Sequence, residues 1–214
     1  MAELLESIQQ DCCDPFPVVV HPEPSWGMDD EQFYKFCRRN KDLRIERSAD
    51  GDLIILAPAG GSSSHGNLEL AYQFQVWSRQ DGSGKGFDSS GGFVLPNGAA
   101  RSPDISWVRN ERLETLSQRD WTRFLPLCPD FVLELLSPSD RLRDVQEKMA
   151  EYIENGAQLG WLIDSVKKQV HVYRPEHAPK VLSNPKKISG DPVLRGFTLD
   201  LAALWETMER KPRR

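Results

Sequence analysis

Apolar positions in the first third of the chain follow helical and then strand-like spacing. Phe33, Phe36 and Cys37 form one apolar face behind an acidic first turn, which predicts a helix that begins after residue 25. The next segment, RIERSADGDLIIL, predicts a β-hairpin because apolar and polar residues alternate on both sides of Asp50-Gly51. This part of the chain therefore contributes a helix and two paired strands.

The middle of the chain predicts a loop, a helix and several short strands. The segment APAGGSSSHGN is a polar loop, and LELAYQFQVWSRQ after it predicts a helix that ends at Asp81-Gly82. Gly-rich turns separate short strands between Gly82 and Val108, and a short irregular helix is expected over residues 111–127.

The last third alternates between buried strands and one strongly periodic helix. FVLELL is typical of a buried strand, and a helix is predicted from Asp140 to Asn155 with Gly156 as its stop. GWLID and QVHVYR then predict two strands around the turn SVKK, with His171 and Tyr173 on the outer face. The tail carries a weaker apolar pattern.

The order α-ββ-α-β-β-α-β-β predicts one α/β domain with a mixed central sheet flanked by helices. We divide the chain into an N-terminal lead-in (1–25) with a short helical pattern, the domain (26–208) and a basic tail (209–214). The 214 residues suit one domain, which can bury its core without a disulfide or a metal.

Charge limits how the protein could hold nucleic acid. The sequence has 27 Lys and Arg against 32 Asp and Glu, a net charge of -5. Proteins that bind nucleic acid by neutralising phosphates are usually basic, so such binding here needs a local basic patch or metal ions. No apolar run is long enough for a membrane span, and no secretory signal is visible, so we expect a cytoplasmic protein.

Glu134 is the most informative single residue. It lies within FVLELL, where every neighbour is aliphatic or aromatic. Burying its ionised carboxylate costs several kcal/mol unless a charge partner or a metal offsets it. Two explanations stay open at this point, a structural ion pair with Arg or Lys and a catalytic or metal-binding role.

Asp104 is the second candidate. It lies in the segment RSPDISWV, where a polar turn becomes an apolar strand, and Pro103 places the start of that strand at the end of a sheet. Two carboxylates on neighbouring strands make an oxygen-rich site that suits Mg²⁺. Ordinary turn chemistry is the alternative explanation for Asp104.

Lys148 flanks the apolar face of the predicted helix 140–155. Its stem could lie along the core while its ammonium reaches the end of the sheet. The alternative is a surface pair with Asp144 at helical i,i+4 spacing.

These residues together resemble a known family. Asp104, the run PDFVLELLSPSDRLRDVQEKMAEYIENGA, and the segments WLID and VHVYR closely resemble the Uma-type restriction endonucleases, a bacterial family once classed as a domain of unknown function. That family lies within the PD-(D/E)XK nuclease superfamily. The resemblance runs from about Asp29 to about Leu204 and includes RIERSADGDLIILAP and SSSHGN. It implies a restriction-endonuclease-like fold.

The resemblance also implies site residues. Asp104 matches the aspartate of the superfamily pattern, Glu134 matches its glutamate, and Leu135 lends a main-chain carbonyl to the metal. The pattern then requires a lysine two residues after the glutamate, where this chain has Leu136, and Lys148 is the candidate replacement. Glu46 and His65 match two further positions that recur in the family. We expect both near the site, without an assigned role.

The chemistry that the resemblance implies is metal-assisted hydrolysis of phosphodiester bonds, with Mg²⁺ or Mn²⁺ as the cofactor. The expected substrate is nucleic acid, taken as DNA, and a homodimer is expected by analogy with the fold. A rival hypothesis is a binding or assembly module that keeps the fold without catalysis, favoured by the missing strand lysine and the acidic charge. A third is a nuclease whose specificity comes from a partner in a larger assembly.

Overall fold

The fold comes from a computed structural model, which describes residues 17–22, 27–138 and 140–209. The predicted helical pattern at residues 4–8 lies outside this range, as do most of the lead-in and residues 210–214 of the tail. Within the described ranges no helix is long and apolar enough to cross a membrane. The division into lead-in, domain and tail stays a prediction.

The described residues form thirteen strands and six helices. The strands are β1 (Val18–Val20), β2 (Arg44–Arg47), β3 (Leu53–Leu56), β4 (Gly84–Asp88), β5 (Phe93–Val94), β6 (Ala100–Arg101), β7 (Ile105–Arg109), β8 (Phe131–Leu136), β9 (Leu159–Asp164), β10 (Gln169–Arg174), β11 (His177–Ser183), β12 (Lys187–Ser189) and β13 (Thr198–Asp200). The helices are α1 (Asp30–Arg39), α2 (Gly61–Asp81), α3 (Asn110–Leu113), α4 (Gln118–Trp121), α5 (Leu142–Glu154) and α6 (Leu201–Glu209).

The central sheet is mixed, as the element order predicts. Its six strands run in the order β11-β10-β9-β8-β7-β4. Strands β8 and β9 are parallel, and the other neighbours are antiparallel. Helix α5 makes the crossover between the two parallel strands, which require such a long connection. The sheet thereby brings β8 and α5 next to each other.

A second sheet carries the predicted hairpin. Its order is β1-β3-β2-β6-β5, and it packs under α1 through a small core of four fully buried residues, Phe33, Ile45, Leu53 and Ala100. Only Ser102, Pro103 and Asp104 separate β6 of this sheet from β7 of the central sheet. The chain therefore passes between the two sheets at Asp104.

Two hydrophobic clusters cover the faces of the central sheet. Helices α2 and α6 bury one face, around Phe74, Trp161 and Leu204. Helix α5 buries the other face, around Met149 and Tyr152. Each cluster removes its apolar surface from water, which supplies the main driving force for folding.

Helix α2 begins earlier than the sequence predicts. The segment expected to be a polar loop contributes its first two turns, from Gly61 onward, after an N-cap at Gly60. Ser63, Gly66 and Leu70 are buried at helical spacing on this helix. Small residues occupy the first two of these positions because Gly66 lies close to Leu135, and the absence of large apolar side chains there hides the helical period.

The expected outer face of β10 is buried. His171 and Tyr173 are 5% and 4% exposed, so their predicted exposure is wrong. Because β10 lies in the interior of the sheet and α5 packs over that face, both faces of the strand are covered. Alternation in a single strand cannot distinguish a second buried face from a solvent face.

Candidate active site

A cleft of about 370 Å³ opens at the end of β8 and takes its walls from both sheets. Strands β2 and β3, the start of α2, the connection between β6 and β7, and helix α5 all contribute residues to it. Three of the residues predicted to act in catalysis line this cleft, Asp104, Glu134 and Lys148. The fold therefore brings together residues from three separate parts of the sequence.

Asp104 is held at the junction of the two sheets. Its Oδ2 accepts a hydrogen bond of 2.9 Å from the main-chain N–H of Leu135, and its Oδ1 accepts one of 3.3 Å from the Asn67 amide. Arg44 lies 4.0 Å from the same carboxylate. Burial raises the pKa of Asp104 above its ordinary value, although the Leu135 N–H opposes the shift.

One of the two carboxylate oxygens of Glu134 has hydrogen-bond and ion-pair partners. Its Oε1 accepts a hydrogen bond of 3.0 Å from the Tyr152 hydroxyl and lies 2.9 Å from Nζ of Lys148. Within the described ranges Oε2 has no such partner. Burial raises the pKa of Glu134 to about 7; Lys148 opposes that rise, and the negative charges of Asp104 and Glu46 add to it.

Lys148 enters the site from helix α5. Its ammonium lies 2.9 Å from Glu134 and 2.9 Å from Glu46, and the side chain is 16% exposed. The alternative surface pair with Asp144 is not among the ion pairs of the described residues. Burial lowers the pKa of this lysine, but the two carboxylates outweigh burial and raise it above its ordinary value.

The position of Lys148 accounts for the departure at Leu136. Residues 134 and 136 of a strand point to the same face, and helix α5 covers that face of β8. Leu136 packs half-buried against the hydrophobic cluster under α5, while Lys148 supplies an ammonium to the carboxylate of Glu134 from the helix above.

Glu46 lies inside the site, on β2. Its side chain is 2% exposed and accepts hydrogen bonds from Lys148, from Arg101 at 3.3 Å, and from the Ser102 N–H at 3.0 Å. Burial alone would raise the pKa of Glu46, but Lys148 and Arg101 lower it below its ordinary value. Glu46 therefore shares the Lys148 ammonium with Glu134.

The other predicted site residues are placed differently. Leu135 lines the cleft and binds Asp104 through its N–H. His65 is exposed on α2 and is not among the described residues that line the cleft, so it does not join the predicted group there.

Sequence reasoning missed several residues of the site. Tyr152, on helix α5, donates a hydrogen bond from its hydroxyl to Glu134. Its position one helical turn after Lys148 is the signal that could have revealed it. Arg101 forms ion pairs with both Glu46 and Glu151, and its side chain is 10% exposed. Asn67 contacts Asp104 from a helix turn that the sequence pattern did not predict.

Acidic residues outnumber basic ones around the cleft. The acidic lining residues are Glu46, Asp104, Glu134, Asp140, Asp144, Glu147 and Glu151, and the basic ones are Arg44, Arg101, Arg141 and Lys148. A phosphate that approaches these carboxylates meets repulsion unless a cation lies between them.

The donor set fits a hard divalent cation. Glu134 Oε2 and the remaining acceptor capacity of Asp104 are carboxylate oxygens, which Mg²⁺ prefers. Each of these carboxyl groups has a raised pKa because its negative charge is buried, and a cation would relieve that cost. Among the described residues no group of three or more His, Cys, Asp and Glu could hold a metal.

Comparison with solved structures shows the same fold in another protein. The crystal structure of a "putative nuclease belonging to DUF820" from Anabaena variabilis superposes with a TM-score of 0.67. The match covers 78% of this chain and 92% of that chain at 21% sequence identity. No curated protein matches the chain.

The sequence of the chain also matches a family. The model of the family Uma2, described as "Putative restriction endonuclease", aligns with residues 30–202. This span includes α1, the whole central sheet and all the predicted site residues. The chain therefore belongs to the Uma2 family.

Proposed function

We propose that the protein is a metal-dependent nuclease that hydrolyses phosphodiester bonds of DNA. One observation carries the proposal: Asp104 and Glu134, both buried, present carboxylate oxygens to one cleft together with the ammonium of Lys148. Membership of the Uma2 family and the nuclease-like fold support a nuclease. The contacts of each side chain indicate the role of each residue.

Asp104 and Glu134 would hold Mg²⁺ or Mn²⁺, with the main-chain carbonyl of Leu135 as a further oxygen ligand. The Tyr152 hydroxyl and Lys148 both contact Oε1 of Glu134, which orients the carboxylate and leaves Oε2 for the cation. A bound ion of this kind acts as a Lewis acid on a phosphate oxygen and lowers the pKa of water.

Lys148 would act on the scissile phosphate. Its side chain is 16% exposed, and two carboxylates fix its ammonium, so little reorganisation is needed for the ammonium to stabilise negative charge that develops there. Glu46 would serve as a positioning residue, because it anchors the ammonium on the side away from Glu134 without itself contacting substrate. Arg101 and the Ser102 N–H hold Glu46 in turn.

A binding or assembly module without catalysis is the rival function. Such a protein gains nothing from two carboxyl groups whose pKa values are raised by burial, because each carries a desolvation cost that a neutral residue in its place would not carry. That cost is typical of sites that trade stability for function.

Three features of the proposal have other grounds: DNA as the substrate rests on the family resemblance, a homodimer rests on analogy with the fold, and a cytoplasmic location is an expectation from the sequence. A domain over residues 26–208 would carry the activity. A partner that supplies specificity within a larger assembly would leave the chemistry of the cleft unchanged.

A nuclease assay tests the proposal. Purified protein is incubated with plasmid DNA, single-stranded DNA and RNA in Mg²⁺, Mn²⁺ or EDTA, beside Glu134→Gln. We expect cleavage of DNA that needs the metal and is lost in the variant, because glutamine removes the anionic ligand while it can still accept from Tyr152. Cleavage by Glu134→Gln at the rate of the parent would overturn the assigned site.

A further inference from the structure

Unpartnered polar atoms gather on one side of the cleft. Within the described ranges Arg44 Nε, Ser63 Oγ and Asn67 Oδ1 are buried and without a hydrogen-bond partner, and all three side chains line the cleft. Arg44 and Asn67 both contact Asp104, and Ser63 lies one helical turn before Asn67. Buried polar groups are normally satisfied, so this concentration indicates a missing polar partner.

The first turn of α2 adds an electropositive end to the same place. Gly60 at the N-cap provides no side-chain hydrogen bond, and the first turn contains no acidic residue. The amides of residues 61–63 have no acceptor within the helix, and the dipole of this 21-residue helix favours an anion there. Residues 57–59, just before the helix, also line the cleft, so this end of the helix faces it.

Ser63 connects these two observations. It is 3% exposed, yet its hydroxyl has no partner among the described residues and its side chain lines the cleft. A hydroxyl and a guanidinium N–H are both donors, and a helix N-terminus presents further N–H groups. Donors combined with a positive helix end match the chemistry of a phosphate group.

We infer that the first turn of α2, with Ser63 and Arg44, binds a phosphate of the nucleic-acid strand next to the phosphate that is cleaved. This inference rests on the proposed nuclease function and extends it, because it assigns the substrate contact that fixes the strand beside Asp104. Asn67 Oδ1 is an acceptor, so its partner is a water rather than the phosphate itself. The backbone of the strand is recognised here, and its base sequence is not.

Substitution of two neighbouring serines gives a matched test. Ser63→Asp places a negative charge at the proposed phosphate position, whereas Ser64→Asp places the same charge on an exposed position of the same helix turn. An aspartate in the first turn favours the helix in both variants, so the two differ in what the charge faces. Circular dichroism shows whether Ser63→Asp, which buries a charge, still folds. If it does not fold, Ser63→Ala, which removes only the hydroxyl, takes its place in the test.

Two probes are used, both in EDTA so that no cleavage occurs, and the oligonucleotide is measured a second time with Ca²⁺, so that a cation lies between its phosphates and the carboxylates of the cleft. The first is inorganic phosphate, followed by the thermal shift of the protein. The second is a fluorescein-labelled DNA oligonucleotide in low salt, followed by fluorescence anisotropy. The oligonucleotide distinguishes a phosphate within a nucleic-acid strand from free phosphate.

We expect phosphate to stabilise the parent and Ser64→Asp but not Ser63→Asp. The Kd for the oligonucleotide should rise about tenfold in Ser63→Ala, as expected for loss of a hydrogen bond to a charged group, and further in Ser63→Asp. Arg44→Gln should reduce the slope of log affinity against log salt by about 1. Equal affinities of the parent and Ser63→Asp for the oligonucleotide would overturn the inference, even if inorganic phosphate binds.

These binding measurements are independent of catalysis. If the parent cleaves DNA with metal but Ser63→Asp retains the parent KM and Kd, the phosphate site is wrong and the nuclease proposal stands. If Ser63→Asp loses affinity while the parent cleaves no substrate, the phosphate site stands and the nuclease proposal fails. An oligonucleotide that binds the parent neither in EDTA nor with Ca²⁺ contradicts the inference directly.

Discussion

The ammonium of Lys148 lies 2.9 Å from Oε1 of Glu134, although the lysine belongs to helix α5 and the glutamate to strand β8. In the sequence pattern of the superfamily the corresponding lysine follows the glutamate on the same strand, where this chain has Leu136. Because α5 packs on the face of β8 that carries Glu134, a helix residue can supply the same charge. The contact depends on the packing of these two elements.

Replacement of Lys148 tests its proposed role in rate. Lys148→Ala should lower kcat by about 10²-fold, the effect of removing one preorganised charge-stabilising donor, with little change in the Mg²⁺ concentration for half-maximal activity. Steady-state kinetics over a Mg²⁺ series measure both. An unchanged kcat would mean that Lys148 forms a structural ion pair and takes no part in catalysis.

Glu46 should act through Lys148 rather than on the substrate. Glu46→Gln keeps a hydrogen-bond acceptor for Lys148 but removes the charge that anchors it, so we expect kcat to fall by roughly tenfold with KM unchanged. Adding Glu46→Gln to Lys148→Ala should cost no further rate, because the residue that it positions is already absent. Independent losses in the double variant would contradict this coupling.

Metal binding should stabilise the folded protein. At a Mg²⁺ concentration of about 100 times Kd, the free energy of unfolding should rise by about 2.7 kcal/mol. Asp104→Asn should abolish this gain and raise the stability of the metal-free protein, because it removes a buried charge whose pKa is raised. Thermal denaturation with and without Mg²⁺ measures both effects.

Asp144→Asn is the matched control for that experiment. Asp144 is exposed at the rim of the same cleft, so the variant should keep the full Mg²⁺-dependent shift. A shift that survives in Asp104→Asn but disappears in Asp144→Asn would place the metal elsewhere in the cleft.

Gly84 is required by close packing of β4 against β7. A Cβ at this position would lie 2.4 Å from the Val108 carbonyl oxygen and from the Trp107 ring. Gly84→Ala should therefore lower the free energy of unfolding by about 2–3 kcal/mol, the range for an overpacked core. The control is Gly61→Ala, where the added Cβ meets no atom within 4 Å and we expect a change within about 0.5 kcal/mol. Urea denaturation distinguishes the two.

The imidazole of His171 should make stability fall in mild acid. Burial lowers the pKa of His171, and within the described ranges its Nε2 has no partner while Nδ1 lies 3.4 Å from the Gln146 amide. Below about pH 6.5 the unfolded chain binds a proton that the folded chain resists, so the free energy of unfolding decreases as pH falls through that value.

Comparison with His171→Gln isolates this effect from the titration of carboxylates. Urea denaturation from about pH 8 to about pH 5 should show a steeper loss of stability in the parent than in the variant, because glutamine carries no titrating group. Parallel pH profiles of the parent and the variant would mean that His171 has the same proton affinity in the folded and the unfolded chain.

Local pattern was sufficient for much of the fold and for the choice of the main candidate site residues. The uninterrupted apolar run around Glu134 predicts a buried strand because neither face tolerates water, and the period around Met149 predicts the helix that follows. The same run makes Glu134 conspicuous, since an ionised group there needs compensation. The turn that precedes β7 drew attention to Asp104, and the family resemblance added Glu46.

Tertiary structure decided which charges meet. Sequence could not place Glu46 against Lys148, because a hairpin of the second sheet and a helix on the central sheet are brought together only by the junction at Asp104. It also could not show that His171 is buried, since α5 covers that face from outside the strand. The periodicity of a helix or strand can be read from residues that are close in the sequence. The partner that compensates a buried charge comes from a distant part of the chain, and only tertiary packing brings the two together.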